Sequence, residues 1–119
     1  MLGACIEHEA APTAGGTVDF WWAGSPNAAA ATGNPTGVTG ADGAYTVANK
    51  DQLVFIGSLV VINAVINKSP TVGRLSMPYR YGSLIVINNT SSKFLETAVA
   101  MDNTHIVLNP IIPDIQASA

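Results

Sequence analysis

A seven-residue segment occurs twice in this chain and constrains the fold more than any other feature. Residues 57–63 read GSLVVIN, and residues 82–88 read GSLIVIN in the same order 25 positions later. A weaker third copy covers residues 104–109. Runs of β-branched residues bounded by small and polar ones are typical of strands, and fewer than three good copies rarely form a stable solenoid. We therefore interpret the copies as equivalent strands of one sheet, each separated from the next by an intervening strand.

From residue 44 onward the same composition continues, with turn signals at short intervals. Because an unbroken strand of fourteen residues would be unusual, a bulge is predicted at Gly57-Ser58 in the second predicted strand. The fold class predicted is mainly β, an antiparallel β-sandwich or a small jelly-roll-like barrel. The predicted strands cover residues 44–48, 53–66, 75–81, 84–88, 94–101 and 105–112. The predicted core consists of Leu59, Val61, Ile85, Ile87, Val99 and Val107.

Composition divides the chain into an N-terminal arm, residues 1–16, and a single β domain, residues 17–119. Within that domain, residues 24–43 are almost entirely Ala, Gly, Thr, Asn, Pro and Ser and form a long loop of low charge. Loops of this length are uncommon in compact domains unless they are functional or ordered by a partner. The uncharged loop therefore predicts contact with a neighbouring chain.

Charge is scarce throughout. Five Lys or Arg and eight Asp or Glu make 11% of the residues, against roughly 25% in an ordinary soluble domain. The net charge is −3 and the five cations are scattered singly, so there is no basic stripe that would predict nucleic-acid binding.

The apolar run 53–66 is shorter than the roughly 20 residues of a membrane-spanning helix, and no membrane span is expected. With Cys5 as the single cysteine, no internal disulfide forms, which fits folding in a reducing cytoplasm.

Chemistry-bearing residues are few. Cys5, Glu7, His8 and Glu9 have side chains that bind zinc, but the segment lacks the further ligands of a closed site, so we interpret it as part of the arm. His105 lies in a predicted strand, where a partly buried, hydrogen-bonded histidine is expected rather than a catalytic base. No metal or other cofactor is predicted.

Two aromatic pairs offer interface anchors. Trp21-Trp22 lies in a further short predicted strand, residues 17–22, and Tyr79-Arg80-Tyr81 ends the predicted strand 75–81. Adjacent side chains of a strand point to opposite faces. At most one residue of each pair then enters the core, and the other is available to a partner. With Val38 from the long loop, the predicted interface residues are Trp21, Trp22, Val38, Tyr79 and Tyr81. Lysine at Val38 or at Ala30 is expected to leave the fold intact and to weaken assembly.

Three functions are compatible with these patterns. The first is a non-enzymatic structural protein of a large symmetric assembly, such as a capsid cement or decoration protein, a coat protein or a fibre protein of a virus or phage. Its partners would be further copies of itself, for instance in a trimer, and a larger shell or filament protein. It would be located in the virion after synthesis in the host cytoplasm, with a cytoplasmic location as the alternative. The second is a lectin-like carbohydrate-binding module, whose stacking surface would consist of Trp21, Trp22, Tyr79 and Tyr81. The third is a small hydrolase with His105 as its base.

Overall fold

The computed structural model describes residues 1–35, 38, 50–77, 79–95 and 104–110. Strands make up most of the regular structure within these ranges, in agreement with the predicted fold class. The elements are β1 (Leu2–Glu7), β2 (Thr17–Ser25), α1 (Ala30–Gly33), the 3-10 helix η1 (Lys50–Gln52), β3 (Val54–Val60), β4 (Ile66–Gly73), β5 (Tyr81–Asn89) and β6 (His105–Leu108).

The strands form two three-stranded antiparallel sheets, in the orders β4-β1-β6 and β3-β2-β5. One face of each sheet contributes to a common core, an arrangement consistent with a β-sandwich. Phe20 of β2 and Leu2 of β1 lie at its centre with no exposed surface. The buried members of this core are Leu2, Ala4, Ile6, Val18, Phe20, Trp22, Ile56, Leu59 and Val61.

The first residues form a strand instead of the predicted arm. β1 lies between β4 and β6, and its alternate residues Leu2, Ala4 and Ile6 are buried. This alternation is the period of two that a strand with one buried face requires. The arm prediction for residues 1–16 is therefore wrong for Leu2–Glu7, since a central strand of a sheet is not free to extend over a neighbour.

The two good copies of the repeated segment lie on either side of the same strand. Leu59 of β3 is paired with Val18 of β2, and Leu84 of β5 is paired with Trp22. The prediction of equivalent strands separated by an intervening strand is thus confirmed for these two copies. It is wrong for the third copy, which contains β6 and belongs to the other sheet.

The long predicted strand 53–66 is divided into two. Its pairing with β2 shifts from Gly57 to Phe55, which places a bulge at Ile56, next to the predicted position. The strand then ends at Val60, and β4 begins at Ile66 in the other sheet. The predicted strand 75–81 is also wrong except for its last residue, because this segment crosses from β4 in one sheet to β5 in the other.

The predicted core is partly confirmed. Leu59, Val61 and Ile85 are buried, and Ile87 is half-buried. Val107 is 42% exposed because it lies on β6, at the edge of its sheet. The predicted strand 44–48, most of the predicted strand 94–101 including Val99, and the end of the predicted strand 105–112 lie outside the described residues.

None of the helical segments among the described residues has the length or the apolar character that a membrane-spanning helix requires.

Candidate assembly surfaces

The two tryptophans point to opposite faces of β2. Trp22 is 9% exposed and belongs to the common core. Trp21 packs on the outer face, where its ring meets the ring of Phe55 edge-on with centroids 4.9 Å apart. Both indole Nε1 atoms are buried without a hydrogen-bond partner in the described part of the chain. Packing within the chain therefore occupies most of the surface of both rings.

Val38 packs inside the chain, contrary to the interface role predicted for it. It is 3% exposed and forms a second apolar cluster with Ala23, Leu53 and Ile85. Nearby, the Asn34 side chain donates a hydrogen bond to Ser83 Oγ at 3.0 Å. This part of the loop covers the outer face of its own sheet. Lysine at position 38 would bury an ammonium group, so the expectation that the fold tolerates it is corrected.

The two tyrosines remain accessible at the end of the sheet where β5 begins. Tyr79 is 50% exposed and Tyr81 is 39% exposed. A Cβ atom added at Gly24 would lie 2.8 Å from the Tyr79 ring, so this ring rests on the glycine backbone. The Arg80 guanidinium lies 5.8 Å from the centre of the Tyr81 ring. Of the five predicted interface residues, Tyr79 and Tyr81 are the most accessible.

A larger exposed apolar surface lies at the turn between β3 and β4. We call its four aliphatic side chains the apolar turn. Their exposed fractions run from 40 to 64%, and the members are Val60, Ile62, Val65 and Ile66. No charged residue occurs between Asp51 and Lys68 in the sequence. Grouped side chains of this kind expose on the order of 300 Å² of apolar surface, the size of patch that is often functional on a monomer.

Hydrogen bonds from buried groups hold the apolar turn in place. The Asn67 side chain is 4% exposed; it accepts a bond from the Ile62 backbone N–H and donates one to the Ala64 carbonyl, both at 2.8 Å. The His8 backbone N–H donates to the Val65 carbonyl at 2.9 Å. The turn is thus fixed before any partner arrives, which lowers the entropy cost of binding.

An apolar cleft of about 390 Å³ lies at the opposite end of the strands. We call it the apolar cleft. Of the lining residues that the structure describes, none has a charged side chain, but the Met1 N-terminal ammonium lies here and donates a hydrogen bond to the Asn109 carbonyl at 2.9 Å. Two of the lining side chains, Met77 and Leu108, are 48% and 40% exposed. The lining residues are Met1, Leu75, Met77, Leu108, Asn109 and Pro110. The connection between β4 and β5 that lines this cleft continues to Tyr79 and Tyr81.

The predicted chemical residues are not gathered into a site. His8 is 1% exposed on the core side of its segment, whereas Cys5 and Glu7 are half-buried at the alternate positions of β1. His105 is exposed, not partly buried as predicted, and is the cross-strand neighbour of Cys5. Among the described residues no group of three or more His, Cys, Asp and Glu side chains is placed to hold a metal ion.

Replacing His8 by leucine is expected to raise the free energy of unfolding by about 1 kcal/mol. Both ring nitrogens are buried without a hydrogen-bond partner in the described ranges, and a buried polar group without a partner is destabilising. Leucine removes that penalty and keeps the contact with Phe94, whose ring centroid lies 5.5 Å from that of His8. Urea denaturation at fixed protein concentration measures the change, with His8→Gln as the polar control. A loss of stability in His8→Leu would contradict the unpartnered state of the ring.

Neither the apolar turn nor the apolar cleft was predicted from the sequence. The apolar turn was included in a single predicted strand, although Asn63 and Asn67, two polar residues in an apolar run, signalled a break. The apolar cleft had no local signal, because residues 1, 75–77 and 108–110 meet only when β1 pairs with β4 and β6. No protein-family model, curated protein or solved structure matches this chain.

Proposed function

We propose that this protein is a non-enzymatic structural component of a large symmetric assembly, most plausibly a cement, decoration or coat protein of a virus or phage particle. The observation that carries the proposal is the apolar turn. It presents four aliphatic side chains on a hydrogen-bonded frame in a stretch without charges. Fully burying an exposed aliphatic side chain contributes about 1.5–3 kcal/mol. Because 40 to 64% of each of these four side chains is exposed, covering one of them contributes about half of that and favours association.

The remaining surface supports the same proposal. Val54 and Phe55 on β3 and Val107 and Leu108 on β6 expose 40 to 50% of their surface. Edge strands of monomeric proteins are commonly protected by charges or by proline, and neither β3 nor β5 contains a charged residue or a proline. Contacts with further copies, and with a larger shell or filament protein, would cover these residues in a virion.

The finer fold belongs to this proposal as well. A jelly-roll-like barrel is one of the architectures that shell proteins use, and the two packed antiparallel sheets are compatible with it.

A carbohydrate-binding module is the second candidate, favoured by the exposed Tyr79 and Tyr81 rings. Stacking on sugars requires open aromatic faces. The proposed stacking surface is reduced, however, because Trp22 lies in the core and Trp21 packs on Phe55. Glycan binding that is lost in Tyr79→Ala, by a chain that stays monomeric, would favour this candidate over assembly.

The mass of the native protein in solution tests the proposed function. At micromolar concentration we expect a multiple of the chain mass by light scattering after size-exclusion chromatography. The association is expected to persist in molar salt, because apolar burial is not screened by ions whereas charge pairing is. A discrete monomer in a concentration series, which also fails to bind any larger particle, would rule out the assembly role.

A further inference from the structure

We propose that His8 is an acid-sensitive latch, which holds the end of β1 to two neighbouring segments and releases them when its imidazole is protonated. One segment is the apolar turn, at Val65, and the other is residues 93–95, which follow the loop after β5. The latch lies within one chain and does not depend on the proposed assembly function.

Backbone hydrogen bonds join the end of β1 to both segments. On one side, the His8 N–H donates to the Val65 carbonyl at 2.9 Å. On the other side, residues 7–9 and 93–95 exchange two backbone bonds of 2.9 and 3.0 Å, with His8 directly opposite Phe94 between them. In an antiparallel pair of this kind the two residues share no hydrogen bond and their side chains come closest. The position of both segments therefore depends on how well the His8 side chain packs.

The His8 ring is buried against Phe94. Its side chain is 1% exposed, and the two rings meet edge-on with centroids 5.5 Å apart. Both ring nitrogens of His8 are buried without a hydrogen-bond partner among the described residues. A neutral ring in this state carries a polar penalty, and a proton adds the larger cost of an unpaired buried charge. Protonation therefore opposes the packing of His8 on Phe94.

The charged side chains closest to the latch in sequence do not provide a partner for an imidazolium in the described part of the chain. Glu7 and Glu9 hold the positions next to His8, and adjacent side chains of an extended segment point to opposite faces. In the two bonded segments and their continuations, the described charged residues are the exposed cations Lys68 and Lys93. Cations beside a protonated ring add repulsion, which favours release.

The facing sheet does not provide a partner either. Neither β3 nor β5 contains a charged residue, and the Asp19 carboxylate of β2 accepts hydrogen bonds from Ser58 and Asn89. Glu96 and Asp102 lie outside the described residues. Among the described groups, a proton on the latch thus creates a charge with no opposite charge directed at it.

Acid is therefore expected to open the latch. A histidine that unfolding exposes to water takes up a proton below about pH 6.5. An opened latch exposes the His8 ring in the same way, so opening is linked to the uptake of one proton. The equilibrium constant for opening then rises about tenfold for each pH unit below that value, whereas above it the latch stays closed.

Opening changes the end of the strands and leaves their centre intact. The apolar turn keeps its two hydrogen bonds to Asn67 and loses the one from His8. The Phe94 ring loses its contact with the His8 ring. The two sheets stay packed through the common core, so the release is local.

Amide hydrogen exchange at pH 7.5 and pH 5.5 measures the opening, after correction for the intrinsic pH dependence of exchange. The latch amides are those of His8, Glu9 and Leu95. Their protection is expected to fall about tenfold from the higher to the lower pH. At each pH it should also lie below the protection of the amides in β2, because local opening needs less free energy than unfolding of the whole domain.

Two histidine variants show which ring senses the acid. His8→Leu removes the proton-binding group and keeps an apolar contact with Phe94, so its latch amides should lose no protection at pH 5.5. His105→Gln is the matched control, because His105 is the other histidine of the chain and is exposed on β6; it should keep the fall of about tenfold. His8→Gln is the second variant should His8→Leu fail to fold.

NMR of the His8 ring in the unmodified chain tests the latch without any variant. The ring signals are expected to change to those of the charged form together with the loss of protection at Leu95, and not before it.

Several results would overturn the latch. If the fall in protection persists in the His8 variants, or disappears in His105→Gln, another group senses the acid. If the latch amides of the unmodified chain keep their protection at pH 5.5, or if the ring becomes charged while Leu95 stays protected, the closed form accommodates the charged ring. If latch and β2 amides are equally protected at both pH values, acid acts on the whole domain and no local release occurs. Each of these results leaves the proposed assembly function standing, because the mass of the native protein tests that function separately.

Discussion

Gly57→Ala is expected to lower the free energy of unfolding by more than about 3 kcal/mol, a loss large enough to unfold a marginal domain. At this point β3 and β4, from different sheets, approach each other through backbone atoms. A Cβ atom at Gly57 would overlap the carbonyl oxygen of Val72, and one at Gly73 would overlap that of Ile56. Backbone cannot rotate away as a side chain can, so the two strands would have to separate. Gly73→Ala is expected to show a loss of similar size.

Gly15→Ala is the control for the glycine variants. Gly15 has a φ of 96°, which disfavours alanine, but no atom lies within 4 Å of the added Cβ. The expected loss is therefore only the backbone term, about 1–2 kcal/mol. Guanidinium denaturation of the three variants at one protein concentration gives the comparison. Equal losses at Gly15 and Gly57 would contradict the close approach of β3 and β4.

The strands on either side of β2 could be predicted from sequence because their signal is local. In both copies of the repeat the Leu and the residue two positions later contribute to the common core: Leu59 in β3 with Val61 directly after it, and Leu84 with Val86 in β5. The repeated glycine permits a close approach in both copies, but to different neighbours, because a Cβ atom would overlap the Val72 carbonyl oxygen at Gly57 and the Trp22 ring at Gly82. Positions of β3 and β5 that are equivalent relative to the central strand β2 therefore carry the same or similar residues.

β1 was not predicted because its period of two is weak in the sequence. Leu2, Ala4, Ile6 and His8 are buried and alternate with less buried residues, as in a half-buried strand, but the intervening Gly3 and Cys5 are not polar. The prediction of an arm for residues 1–16 rests on composition and on the position of these residues ahead of the low-charge loop. It does not use the alternation of buried positions. The strand pairing of β1 with residues 66–73 and 105–108 is long-range, and no local feature of the leader predicts it.

Val38 was predicted to be an interface residue and is buried, whereas the apolar turn was predicted to lie within a strand and is exposed. Both differences have the same physical reason. Exposure of an apolar residue depends on what the rest of the chain brings next to it. Val38 lies in a weakly patterned loop but is covered by Leu53 and Ile85, whereas Ile62 lies in a strongly apolar run and is left exposed when β3 ends. The charge deficit does not locate exposed apolar surface by itself, because tertiary contacts decide which uncharged residues are buried and which are exposed.

Phe20→Ala is expected to lower the free energy of unfolding by about 3–5 kcal/mol. Phe20 has no exposed surface and lies between the two sheets at the centre of the common core, so its removal leaves a cavity that strands from both sheets would have to close. The same change at Phe55 removes an identical side chain from the outer face, where half of it is exposed. Its expected cost is about 1 kcal/mol, from the partial burial and the edge-on contact with Trp21.

The ratio of the losses in unfolding free energy at Phe20 and at Phe55 tests whether the core lies between the two sheets. Phe20 lies on the central strand β2 and Phe55 on the neighbouring edge strand β3 of the same sheet. The side chain removed is the same at both sites, so the difference between the losses reports mainly which face of the sheet is closed by the second sheet. Urea denaturation of both variants, with the slope checked for two-state behaviour, provides it. Comparable losses would mean that the outer face is covered to the same degree as the core. Because Phe55 is one of the exposed residues that the proposed assembly would cover, a cost at Phe55 that grows with protein concentration would indicate that the cover is another copy of the chain.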